Sequence, residues 1–167
     1  MISCLLLSFD TGYTGKAYFS HGGGVNYQCL HNEPEWPSNA IEENQHHSYM
    51  YGVEYHDIAG WVEDTLDQDA PCAVCDVESR TRQVMIPGRE TCPDEGWVRE
   101  YYGFLVAQQY DELGSTFACL DKDFEFTPGG YDNDGGGTFY MVEARCGSLP
   151  CAPYEEGMEL ACVVCTK

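Results

Sequence analysis

CAVC at 72–75 returns as CVVC at 162–165, and the reading of the whole chain turns on this pair. Upstream of each stands a further cysteine at the same distance of 43 residues: Cys29 before Cys72, Cys119 before Cys162. Three cysteines therefore recur with a shift of 90, and Cys4 and Cys92 follow with a shift of 88. Their surroundings recur as well. GVNYQCL at 24–30 matches GSTFACL at 114–120, and SYMYGVEY at 48–55 matches TFYMVEA at 138–144 with one residue of offset. Trp36 sits where Phe126 sits, which favours a core role for it. Self-similarity at a fixed period marks a repeated structural unit. The expected halves are 1–86 and 87–167, together one compact unit. They are joined at VMIPGRETCP, where Pro87 and Gly88 suit a short connection.

Within each half the signal is strand. KAYFS, SYMYGVEY, VREYYGFLV and TFYMVEA are short and rich in aromatic and β-branched residues. Glycine and acidic turns such as HGGG at 21–24 and GGYDNDGGG at 129–137 separate them. No window holds a sustained 3.6-residue apolar stripe, although PSNAIEENQHH at 37–47 and AGWVEDTL at 59–66 admit a short helix. The expected fold is all-β: two tandem, homologous, disulfide-stapled β subdomains.

Composition narrows the function. The chain has 167 residues, 28 acidic against 8 basic, and a formal charge of −20. Phosphate backbones are bound by clustered Lys and Arg, so nucleic acid is excluded as a partner. Docking on an anionic membrane is disfavoured for the same reason, and no apolar run approaches a membrane span. Cations are the natural ligands, because carboxylates are the hard oxygen donors that calcium prefers. With 43% hydrophobic and 13% aromatic residues the chain is not disordered. Ten cysteines, an even count, point to disulfides and an oxidising compartment. MISCLLLSF lacks the features of a signal peptide; from the cysteines, the expectation is a mature secreted, extracellular protein without its export signal.

CAVCDVESRTRQVMIPGRETCPDEGW at 72–97 resembles the junction between the halves of the C-terminal non-collagenous domain of type IV collagen, and the terminal CVVCTK resembles the end of that domain. The resemblance implies Cys92–Cys165, Cys119–Cys162 and Cys146–Cys151 in the second half, and Cys4–Cys75 and Cys29–Cys72 in the first. FSHGGGVNYQCLHNEPEW, MYGVEY and CGSLPCAPY are similar to the corresponding domain of sponge-type short-chain collagens. No Gly-X-Y repeat is present, so only the globular module is in the sequence. The length, acidity and free-standing module also resemble the galactose-binding lectins of sea anemones. That likeness implies a calcium-dependent homodimer that binds terminal β-linked galactose.

The chemical motifs are weighed beside it. Two CxxC pairs suit zinc or redox chemistry, but 87 positions part Cys75 from Cys162, far beyond zinc-ribbon spacing. FDTG at 9–12 has the form of an aspartic-protease turn but lacks a second aspartate. HGGG has the form of an oxyanion loop but lacks a nucleophile elbow. No nucleophile–base set can be assembled, so an enzyme is not expected. The strongest signal is GGYDNDGGG. There Asp132, Asn133 and Asp134 are candidate calcium ligands, since Asp-x-Asp aims two carboxylates at one centre while glycines let the backbone wrap it. Two other acidic loops stay open for the ion: 37–47, with Glu42, Glu43, Asn44, His46 and His47, and 31–36, with Asn32, Glu33 and Glu35. Candidate sugar contacts are Tyr131, Gly137, Trp36, His47 and Glu43. EYHD at 54–57 and EDTLDQD at 63–69 are read as exposed acidic faces. The competing expectation is a structural matrix module that drives oligomerisation without binding sugar.

Overall fold

The computed structural model describes residues 8–40, 47–56, 58, 65–93 and 96–167. No described residue is helical. The strands are β1 (Ser8–Lys16), β2 (Gln28–His31), β3 (Tyr51–Tyr55), β4 (Gln68–Asp69), β5 (Pro71–Cys75), β6 (Gln83–Pro87), β7 (Val98–Ala107), β8 (Ala118–Asp121), β9 (Gly137–Met141) and β10 (Ala161–Thr166). They join in one curled sheet. Its main path runs β2-β1-β3-β9-β7-β10-β6, with β4 on β3, β5 on β1 and β8 on β7.

Two strands organise the sheet. β1 pairs with β2, β3 and β5, and β7 pairs with β8, β9 and β10. The registers correspond. Gly12 lies opposite His31 and Cys72, and Gly103 lies opposite Asp121 and Cys162. Lys16 faces Tyr51, and Ala107 faces Tyr140. The two groups meet where β3 and β9 run parallel, Val53 beside Gly137 and Tyr55 beside Phe139. The core draws on both: Val53, Tyr55, Ile58 and Ala70 pack with Val106, Leu120 and Phe139.

Disulfides close the layers. Cys29–Cys72 and Cys119–Cys162 link the outer neighbours of β1 and β7, with Cα separations of 5.6 and 5.7 Å. Cys92–Cys165 and Cys146–Cys151 are also formed. These are four of the five pairs implied by the collagen resemblance. Cys75 is disulfide-bonded as well, while Cys4 lies outside the described residues.

Three local readings change. In KAYFS only Lys16 is strand; the strand lies upstream, and FDTG is part of it. The turn in which the His21 amide donates to the Tyr18 carbonyl, and the Phe19 amide donating to Gly136, take the backbone out of the sheet. VMIP is a strand and not a loose connection. β6 pairs with β10 along its whole length, and the turn begins at Gly88, where φ is 73°. Trp36 is 79% exposed and holds no core position, whereas Phe126 packs edge-on against buried Tyr55. The two candidate helical stretches fall largely outside the described residues.

Candidate metal centre

β3 sets the geometry. Val53 and Tyr55 point into the core, so by strand alternation Glu54 points to the opposite face. That face is not solvent. The loop 129–137, which leads into β9, folds across it, and Glu54 keeps only 3% of its exposure. The EYHD stretch is therefore not an exposed acidic face at Glu54: a segment 80 residues away in sequence covers it.

The loop is pinned at several points. The Thr127 amide donates to the Asp69 carbonyl, and the Asp69 amide donates to the Gly130 carbonyl, at 3.0 and 2.9 Å. The Asp134 amide donates to Glu54 Oε1 at 3.1 Å, and Asn133 Nδ2 donates to Asp67 Oδ1 at 3.1 Å. Glycine is required at the end of the loop. Gly135 has φ 71°, and a Cβ on Gly136 would fall 2.3 Å from the Gly52 carbonyl oxygen.

Beneath the loop lies a compact donor set. His56 Nε2 is 3.7 Å from Glu54 Oε2 and 3.5 Å from Asp67 Oδ1. Its Nδ1 is 3.2 Å from the Tyr140 hydroxyl, and the two rings stack at 5.3 Å. Donor atoms of Glu54, His56 and Asp67 all lie within 4.8 Å of one another. Glu54 Oε2 is buried without a hydrogen-bond partner among the described residues. Burial raises the Glu54 carboxyl above its usual range, against the pull of the Gly135 and Asp134 amides. Burial, and then the Asp134 charge, raise Asp69 too.

Raised carboxyls bind protons more tightly in the native state than in the unfolded chain. Their contribution therefore falls as pH rises through the raised values. Glu54→Gln should stabilise the metal-free protein near neutral pH, because it removes a charge whose burial outweighs the amide hydrogen bonds it receives. It should also shrink the stability difference between about pH 4 and about pH 7. Urea unfolding in chelator at both pH values measures this; an unchanged difference would contradict it.

The residues singled out in the sequence are spread more widely. Tyr131, Asp132, Asn133 and Asp134 are exposed on the loop. Of these, Asn133 and the Asp134 amide reach the donor set. Gly137 is buried in β9, where a Cβ would meet Lys16 and Val53. Trp36 and His47 are exposed, as are Asn32, Glu33 and Glu35. Glu42, Glu43, Asn44 and His46 lie outside the described residues. Glu54, His56 and Asp67 are not among the residues singled out for binding from sequence; EYHD and EDTLDQD contain them but rank there only as lower carboxylate clusters on exposed faces. A second set of donors, Cys146, Cys151 and Glu156, cannot ligate through sulfur because both cysteines are in a disulfide.

Two further features flank these elements. Tyr18 makes ring contacts with Tyr51 and His21 at 5.2 and 4.9 Å, and its hydroxyl abuts Gly135 of the acidic loop. A cavity of about 260 Å³ opens beside the Cys29–Cys72 disulfide and is lined mainly by apolar groups, Tyr27, Leu120 and Phe139 among them. No protein-family description, curated protein or solved structure matches the chain.

Proposed function

We propose that this protein is a secreted, calcium-dependent lectin for terminal β-linked galactose, active as a homodimer. We also read its two β groups as an internal duplication on a plan resembling the type IV collagen non-collagenous domain. The observation that carries the lectin reading is the loop 129–137. Its base is fixed to Glu54, Asp67 and Asp69, while Tyr131, Asp132, Asn133 and Asp134 stay exposed. A fixed acidic loop with exposed oxygens suits calcium, which takes six to eight oxygen ligands and tolerates water among them. Asp132 and Asp134 would hold the ion, and a bound calcium would offer vicinal sugar hydroxyls coordination positions in place of water. Asp132 and Asp134 fit as ion ligands and as acceptors for the same hydroxyls. Tyr131 and the nearby Tyr18–Tyr51 rings offer apolar faces to a pyranose ring. A dimer then gains avidity, because the second contact becomes intramolecular.

Asp134→Asn tests the assignment at fixed calcium. Removing one negative donor should weaken galactose binding about tenfold, equivalent to about 1.4 kcal/mol. Retention on immobilised galactose, with elution by EDTA, is the simplest assay. Unchanged affinity in Asp134→Asn would move the ion away from this loop, with 31–36 as the next candidate.

A further inference from the structure

We infer that Glu54, His56 and Asp67 form a separate site for a first-row divalent metal ion of the zinc class. It is distinct from the exposed oxygens assigned to calcium, and it does not depend on the lectin reading. The donor set is one imidazole nitrogen and two carboxylates. Calcium takes oxygen and has little use for imidazole, whereas zinc accepts both. Zinc–ligand bonds of about 2.1 Å in a tetrahedron set ligand atoms ~3.4 Å apart. The His56 Nε2 distances of 3.5 and 3.7 Å to Asp67 Oδ1 and Glu54 Oε2 are close to that edge. Three protein ligands leave the fourth position to water, which has a route in: His56 and Asp67 each keep 22% exposure.

The surroundings prepare these ligands. A metal-binding histidine usually donates its other ring N–H to a neighbour, which fixes the tautomer and the ring. His56 Nδ1 meets the Tyr140 hydroxyl, so Nε2 faces the two carboxylates. Asn133 Nδ2 donates to Asp67 Oδ1 and holds that carboxylate in place. Among the described residues the buried Glu54 oxygen aimed into the site has no hydrogen-bond partner. A cation there would remove that deficit.

The second half of the chain provides the comparison. Glu54 faces Asp69 across β3 and β4, and Glu143 faces Glu159 across an isolated bridge. The turns that follow are bonded alike. The Asp67 amide donates to Tyr55 and the Ala70 amide to Val53, at 2.9 and 2.8 Å; the Gly157 amide donates to Ala144 and the Leu160 amide to Val142, both at 2.8 Å. In this register Arg145 holds the place of His56. Its guanidinium pairs with Glu143 at 2.7 Å and with Glu156 at 3.3 Å. There the chain supplies its own cation to two carboxylates. In the first half the His56 imidazole stands between Glu54 and Asp67, and one divalent ion would balance their two charges.

The test uses the full, disulfide-bonded chain, freed of metal by chelator and returned to calcium-containing buffer, titrated calorimetrically with zinc chloride. One zinc per chain is expected, with a rise in Tm. Tyr140→Phe should weaken zinc about tenfold, and His56→Ala by more than about 100-fold, beyond the range of an outer-shell change. His56→Arg should bind no zinc at this site and should melt above the metal-free wild type, because it restores the arrangement of the second half. Absence of zinc binding by the wild type would overturn the site. So would an unchanged affinity in His56→Ala, which would put the ion on exposed histidines such as His21 or His47. Calcium displacing zinc one for one would overturn the choice of ion.

Discussion

Gly103→Ala is expected to destabilise the protein by more than about 4 kcal/mol, in the range that marks an overpacked or strained site. Gly103 lies in the interior of β7, facing Asp121 of β8 and Cys162 of β10 at once. A Cβ there would fall 2.1 Å from the Leu120 carbonyl oxygen and 2.5 Å from the Lys122 amide nitrogen. Both are backbone atoms, so no rotamer change relieves the overlap. The strand itself must move, and with it the packing of Tyr101 and Leu105 on either side. Gly12 faces the same problem, with a Cβ 1.7 Å from the Leu30 carbonyl oxygen. Gly12→Ala should therefore lose a comparable amount. Urea or guanidinium unfolding midpoints measure both; a loss under about 1 kcal/mol in either would contradict the close strand approach.

The second large effect concerns Cys119–Cys162. Replacing both by alanine should cost about 4 kcal/mol, from the closure entropy of a 43-residue span. Cys162 is fully buried, so lost packing adds to that. Replacing Cys146 and Cys151 should cost about 2 kcal/mol, because only 5 positions separate them and both are exposed. The order of the two losses is the result to check by denaturant unfolding under non-reducing conditions. Equal losses would mean that chain closure is not what the long disulfide contributes.

The legible part of this fold was carried by residues whose position is set locally or covalently. VREYYGFLV and SYMYGVEY read as strands because aromatic and β-branched side chains fit a pleated, half-buried surface, and β7 and β3 lie there. The cysteine spacing repeats, and the bonded partners repeat with it: 43 positions separate Cys29 from Cys72 and Cys119 from Cys162. Acidic loop 129–137 stood out because its glycines mark a place where backbone wraps closely, as Gly136 does on Gly52.

The rest depended on distant chain. Glu54 sits in a stretch of alternating acidic and aromatic residues that reads as a wet strand face. Its burial comes from the loop docking through Asp134, 80 positions later. His56 gains its place from Tyr140, 84 positions later. Trp36 shows the opposite error. Its match to Phe126 suggested a shared environment, yet Phe126 has Tyr55 and Phe124 to pack on, and Trp36 is exposed. Similar local sequence at the two positions did not bring similar side-chain burial. His56 and Arg145 likewise follow strand positions of similar register but have different side chains beside their carboxylates.

Calorimetric titration of galactose into the calcium-loaded protein bears most directly on the proposed function. Saturable heat is expected at one site per chain, abolished when EDTA removes the ion and restored by added calcium. No heat in calcium would contradict the lectin reading, and heat unaffected by EDTA would contradict the role given to the metal.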